Sequence, residues 1–233
     1  MSARRVYVLL LFCLLPFTGI SQSRDVNALM TEVRDRFNLV KDYEAAAKIK
    51  IDVDFLKIPV KQGTIWFLHP DKVRVKAPGF SLLPKRGMNF SPSQLMDAGH
   101  TAIFVRDEVL AGNNVAVVKI VPGNANSEIL IASLWIDIKR KVVRKVEATT
   151  RNEGTFVMDF FFKTFAEAYD MPTQAKITFD IRKNELPLGL TGDFERMPEE
   201  KSKKNSGKGT VTIDYLSYVI NQGRAASVFK KGN

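Results

Sequence analysis

The side chains that follow Ala47 alternate in character: Ile49, Ile51, Val53 and Phe55 stand between Lys48, Lys50, Asp52 and Asp54. Successive side chains of a β-strand point to opposite faces, so this period of two specifies a long strand with one dry and one wet face. The same pattern returns at Val73 and Val75, set between Lys72, Arg74 and Lys76. Further strands are predicted over 101–106, 115–121, 129–138, 142–149, 155–165, 175–182 and 210–220. Between them lie Gly112-Asn113-Asn114, Pro122-Gly123-Asn124 and Asn152-Glu153-Gly154, which are turn sequences at hairpin spacing. An antiparallel meander therefore accounts for the order more economically than parallel crossovers.

One helix precedes the strands. Val26, Leu29, Met30, Val33, Phe37 and Val40 recur at steps of three and four, with Ser23 or Asp25 as the N-cap, which predicts a helix from Ser23 to Val40. Two stretches interrupt the strands. FSLLPKRGMNFSPSQLMDAG carries a short helix signal, with Ser91 as cap, Pro92 at the first helical position and Gly99 past the end. MPEEKSKKNSGKG, from Met197, reads as a charged loop holding Lys201, Lys203, Lys204 and Lys208.

Several strands carry more apolar surface than a wet-faced sheet uses. Phe156, Met158, Phe160 and Phe162 point one way, while Val157 and Phe161 flank Asp159 on the other. A single flat sheet with one amphipathic helix leaves that surface uncovered. A strongly curved sheet can enclose a greasy interior closed by helices, and that interior is either filled by its own side chains or left as a pocket. The expected fold class is mainly β, with a single curved antiparallel sheet and short helices.

The start of the chain addresses compartment. Arg4 and Arg5 precede the apolar run Val6 to Leu15, followed by Pro16, Gly19 and the small residue Ser21. That is the pattern of a secretory signal peptide, and the run is about half the roughly 20 residues needed to span a bilayer. Cleavage near Ser21 is expected, leaving one domain over 22–233. The only cysteine, Cys13, lies inside the apolar run rather than at its end, so it is poorly placed for lipidation. A domain without disulfides must rest on its core, and a chain of this length can build one.

The formal charge is +10. The lysines are dispersed and the chain is expected to be exported, so nucleic acid is not an expected partner; anionic lipid headgroups or acidic proteins suit the charge better. Catalytic constellations are missing from the sequence. His69 and His100, the only histidines, have no ligand-spaced partner, and no Gly-x-Ser-x-Gly elbow or phosphate loop occurs. The pairs Asp52 with Asp54 and Glu199 with Glu200 read as the wet side of a strand and a solvated loop. An enzyme is not expected, and neither a metal nor a cofactor is called for.

The stretch GTIWFLHPDKVRV, from Gly63, reads as two strands bent at a His-Pro step. It resembles the motif of periplasmic lipoprotein carriers of the LolA type, in which a Gly, an apolar strand, a Pro and a second strand follow one another. SLWIDIKRKVVRKVEATTRNEGTFVMDFFF, from Ser133, is similar to that family's strand pair with a central turn and a third strand. VTIDYLSYVINQGRAASVF, from Val211, resembles the closing strand and tail of outer-membrane lipoprotein-sorting proteins. The resemblance covers most of the chain after the leader. It implies an open antiparallel half-barrel of the LolA/LolB kind, whose concave face takes acyl chains under a helical lid.

A soluble, monomeric periplasmic carrier of acylated lipoproteins is the function that the resemblance implies. Its partners would be an inner-membrane lipoprotein-releasing transporter and an outer-membrane acceptor. A sensor of lipid or lipoprotein that signals through a partner is the alternative on the same fold. The acceptor itself is normally a lipoprotein, which the place of Cys13 argues against. Strand parity assigns to the cavity Ile49, Ile51, Val53 and Phe55; Val73 and Val75; Met158, Phe160 and Phe162; Ile177 and Phe179; Val211 and Ile213. Parity does not decide Trp66 and Trp135. Adaptable side chains near Pro and Gly breaks nominate Leu82, Leu83, Met88, Phe90, Leu95 and Met96 as the lid, with Pro84 and Gly87 as hinges. In the resembled carriers an arginine that hydrogen-bonds the lid precedes the motif proline. Here that position is His69, a gate residue with fewer donors and a pH-responsive ring.

Overall fold

The structure is a computed structural model that describes residues 24–53, 59–77, 95, 99–125, 127–151, 154–162, 169–182 and 206–230. Ten strands form one antiparallel sheet: β1 (Asp42–Val53), β2 (Lys61–Leu68), β3 (Lys72–Lys76), β4 (His100–Leu110), β5 (Asn113–Pro122), β6 (Ile129–Asp137), β7 (Val143–Thr150), β8 (Gly154–Phe162), β9 (Pro172–Arg182) and β10 (Ser206–Ile220). Helices α1 (Val26–Asn38) and α2 (Arg224–Lys230) accompany it. The sheet is open, an unclosed half-barrel in the order β3-β2-β1-β10-β9-β8-β7-β6-β5-β4.

That order departs from a simple meander at one place. Strands β4 to β10 follow one another, but β1 pairs with β10, so the first three strands extend the far side of the sheet and β3 and β4 form its opposite edges. The reason lies in length and parity. β1 and β10 are the longest strands, and Ile49 meets Ile213 while Ile51 meets Val211, which joins two dry faces into one. Leu95, the one described residue between Ala77 and Gly99, is buried among the side chains of the inner face.

Register makes the inner face continuous. Ile51, Val211, Ile177, Met158, Val146, Leu134, Val118 and Phe104 lie opposite one another from β1 across to β4. A one-residue slip in any pairing would turn that strand's apolar set to water, so the row fixes the register. Each fully buried aliphatic side chain in it is worth about 1.5–3 kcal/mol.

Helix α1 covers part of this face. Asp25 caps it, its carboxylate accepting from the N–H groups of Asn27 and Ala28 at 3.0 Å, and Leu29, Met30 and Val33 are buried against Ala116, Val118, Leu134 and Ile136. Helix α2 lies on the opposite face, where the Ala225 N–H donates to buried Asp42 and Arg224 pairs with Glu44 at 2.9 Å. Trp66 and Trp135 both belong to that outer face: the indole of Trp66 donates to Glu44, and Lys145 sits 4.6 Å over the Trp135 ring.

Gly63, at the head of the quoted motif, answers a packing need. A Cβ there would stand 2.6 Å from the Lys76 carbonyl oxygen and 2.8 Å from the Ala77 Cβ. Gly63→Ala must therefore push β3 away from β2, and is expected to cost about 1–3 kcal/mol. Urea unfolding measures it; an unchanged midpoint would mean that the close approach carries no weight.

Candidate functional site

Between the end of α1 and the strands β8, β9, β10, β1, β2 and β3 the inner face is not filled. An apolar cavity of about 250 Å³ remains there, close to the lower end of the roughly 300–1,000 Å³ typical of small-ligand sites. Its walls follow strand parity: Ile65 and Phe67 from β2, Val73 and Val75 from β3, Ile213 and Tyr215 from β10, Ala175 and Ile177 from β9, and Met158, Phe160 and Phe162 from β8. Val33, Phe37, Leu39 and Val40, from α1 and the turn after it, form the roof. The most exposed apolar residues of the lining are Val73 at 40% and Leu39 at 48%.

Of the residues assigned by parity, Val73, Val75, Met158, Phe160, Phe162, Ile177 and Ile213 lie together around this cavity. Ile49, Ile51, Val53 and Val211 are on the same face but buried in the side-chain cluster beside it, and Phe179 packs against that cluster. Phe55 lies outside the described residues, as do Leu82, Leu83, Met88, Phe90 and Met96, the two hinge positions and the lysines 201–204. Leu95 is described, and is buried with Leu29, Met30 and Val33. Lys208 is exposed on β10.

Aromatic rings line one end. Phe37 meets Phe67 edge-on at 5.7 Å, Tyr43 stacks on Phe67 at 5.3 Å, and Tyr218 stacks on Tyr215 at 5.2 Å. Burial pushes the Tyr43 pKa well above its ordinary value, with the Tyr215 charge and hydrogen bond adding to it; burial also pushes Tyr215 up to about 12. Both phenols stay neutral near pH 7, so this wall carries no charge.

His69 stands at the β2–β3 bend, before a cis bond to Pro70. Its N–H donates to the Lys41 carbonyl at 2.8 Å, and its ring lies 6.2 Å from that of Phe37. The Nδ1 atom is buried and has no hydrogen-bond partner among the described residues. The bend thus touches the roof of the cavity through Phe37.

Sequence reasoning missed Phe37, Tyr43, Ile65, Phe67, Tyr169, Met171 and Tyr215 as lining residues. Extending the parity of Ile213 by one step reaches Tyr215, and extending that of Ile49 back through Ala47 and Ala45 reaches Tyr43. Nothing local marks Tyr169 or Met171. Among the described residues, no three His, Cys, Asp or Glu side chains are grouped to hold a metal, and no helix is long and apolar enough to cross a membrane.

No protein-family model and no curated protein matches the chain. Solved structures do. An outer membrane lipoprotein-sorting protein domain from Vibrio parahaemolyticus aligns with a TM-score of 0.52 at 16% identity, covering 88% of this chain and 96% of that one. A DUF1329 family protein from Desulfovibrio piger gives 0.54 at 11% identity, with the same 88% and 96% covered. A LolA superfamily protein from Nitrosomonas europaea gives 0.52 at 9%, covering 84% and 94%. At such identities the likeness is one of fold, and it is specific: this chain has the LolA-like fold, an open antiparallel half-barrel with an apolar concave face.

Proposed function

We propose that this chain is an exported, monomeric carrier that takes the acyl chains of lipoproteins into its half-barrel and delivers them toward the outer membrane. The observation that carries the reading is the unfilled apolar cavity on the inner face of the sheet. Helix α1 and the strands leave this end of the inner face unfilled. An acyl chain placed there leaves water, at about 0.8 kcal/mol per buried methylene. The wall is mostly apolar side chains, which suits cargo held by burial alone and released again. The fold shared with a lipoprotein-sorting domain supports the same reading. In it the leader 1–21 is removed and 22–233 works as one domain in the periplasm, between a releasing transporter and an acceptor.

The test is a transfer assay. Protein mixed with a diacylated lipopeptide is passed through a sizing column and then offered to liposomes. The reading expects a soluble one-to-one complex that gives up its lipopeptide to the membrane. Lipopeptide that elutes without the protein would reject it.

His69 is proposed as part of the gate, acting on the end of α1 through Phe37. Replacing the ring removes an aromatic contact with Phe37 worth on the order of 1 kcal/mol, so His69→Leu is expected to change the rate of acyl-chain uptake about fivefold. Stopped-flow fluorescence with an acyl probe checks this; equal rates in the two proteins would leave His69 a bend residue only.

A further inference from the structure

At one end of the cavity the apolar lining gives way to Arg36, Lys141, Tyr169 and Asp170. Arg36, in the last turn of α1, donates through Nη2 to Asp170 Oδ2 at 2.7 Å. Arg140 approaches the other oxygen of Asp170 at 3.8 Å, and Lys141 pairs with Glu32 on α1. Three cations thus share two carboxylates beside a wall of low polarity. Asp170 engages one of the five guanidinium donors of Arg36. The Arg36 Nε–H is buried and finds no acceptor among the described residues.

The β6–β7 turn that carries Arg140 and Lys141 is held in place rather than left to drift. Buried Asp137 accepts from the N–H groups of Lys139 at 3.0 Å and Arg140 at 2.9 Å, and its carbonyl accepts from the Lys141 N–H at 2.8 Å. Lys141 has φ of 58°, a conformation uncommon for a lysine, and it is among the residues lining the cavity. A purely structural latch between α1 and the segment before β9 needs Arg36 and Asp170; it needs neither a second and third cation nor a buried donor without a partner.

We propose that this end of the cavity is a head-group subsite, and that the chain prefers amphiphiles with an anionic head, a carboxylate or a phosphate ester, held by Arg36 and Lys141 while the alkyl chain lies against Phe160 and Ile177. The inference rests on the cavity being the acyl site. An anion completes the charge of the cluster and gives the orphan guanidinium donor an acceptor, whereas a neutral head does neither.

The experiment uses the full chain and a matched series of twelve-carbon amphiphiles, dodecanoate, dodecyl phosphate, dodecanol and dodecylammonium, each displacing an uncharged fluorescent alkyl probe. The anions are expected to bind about tenfold more tightly than dodecanol at low salt, with dodecylammonium weakest, and the preference is expected to shrink in about 0.5 M NaCl. Comparing dodecanoate with dodecyl phosphate shows which anion fits. In the double variant Arg36→Gln, Lys141→Gln the preference should vanish while dodecanol keeps its affinity. Lys141→Gln alone, at a partly exposed side chain, should reduce it and serves if the double variant does not fold. Equal affinities for anion and alcohol in the native protein, or a preference that survives both substitutions, would overturn the subsite and leave the cavity standing. Displacement by none of the four would overturn both.

Discussion

Phe160→Glu is expected to abolish acyl-chain binding, by at least about a hundredfold, in a protein that still folds. Phe160 lies opposite Ala175 in the register and bridges the two side-chain clusters of the inner face. It lines the cavity together with Met158, Ile177 and Ile213, and it is only partly buried, so a glutamate can be accommodated by the empty protein through the open side. With an alkyl chain in place that route to water is closed. The carboxylate must then lose its hydration or take up a proton. Phe160→Leu keeps an apolar wall and should bind nearly as well as the native protein. Titration with a fluorescent acyl probe, alongside a circular dichroism melt, separates lost binding from lost fold. Native affinity in a folded Phe160→Glu protein would show that acyl chains go elsewhere.

The largest expected loss of stability falls at Asp137, which is 3% exposed. Its carboxylate holds the turn N–H groups of Lys139 and Arg140 and takes the Arg144 side chain at 2.7 Å. Arg144 is itself nearly buried, and among the described residues would keep Asn113 at 2.8 Å and the face of the Phe162 ring at 5.6 Å. Asp137→Ala strands that guanidinium and opens the turn, a change that costs about 3–5 kcal/mol when a buried pair loses one partner. Guanidinium chloride unfolding measures it, and a loss under about 1 kcal/mol would contradict the role given to the pair.

The same residue sets a pH dependence. Burial acts to raise the Asp137 pKa, but the Arg140 N–H, the Arg144 side chain and the Lys139 N–H outweigh it, so the carboxyl titrates below its ordinary value. A folded pKa below the unfolded one means that the ion stabilises the fold above about pH 3.9 and that this contribution is lost as pH falls through the folded value. Asp137→Asn, which cannot ionise, is expected to lose less stability than the native protein over that acid range.

Much of this fold could be read along the chain because the dry face obeys a period of two wherever the strands are regular. The strands from Ile49, Val73, Val115 and Thr210 are where alternation placed them, and Asp25 caps α1 as its position suggested. What failed were features that depend on distant partners. The pairing of β1 with β10 joins residues 43 and 220 and leaves no local signal beyond the dry faces that it unites. A register irregularity between Ala46 and Ala47 sets Tyr215 opposite Ala47 and Tyr218 opposite Ala45, so Leu216 is left over and exposed while both tyrosines share a cluster. Parity counted past that point goes wrong by one residue.

The candidate site divides in the same way. Its apolar wall was legible, because Val75, Phe160, Ile177 and Ile213 obey strand parity. Its polar end was not. Arg36 and Asp170 are 134 positions apart, and the charges at Arg140 and Lys141 look in isolation like an ordinary solvated turn. The two tryptophans, undecided by pattern, went to the outer face because each indole N–H has a glutamate there, Trp66 with Glu44 and Trp135 with Glu108.

Methyl NMR with a spin-labelled fatty acid is the most direct test that the inner face of the half-barrel is where an acyl chain lies. The account predicts strong broadening of the methyl signals of Ile65, Val75, Ile177 and Ile213 around the cavity, with Val115 and Val117 of the outer face unaffected. Broadening confined to the exposed Ile103, Val105 and Val109 of β4, with the cavity methyls unchanged, would contradict it.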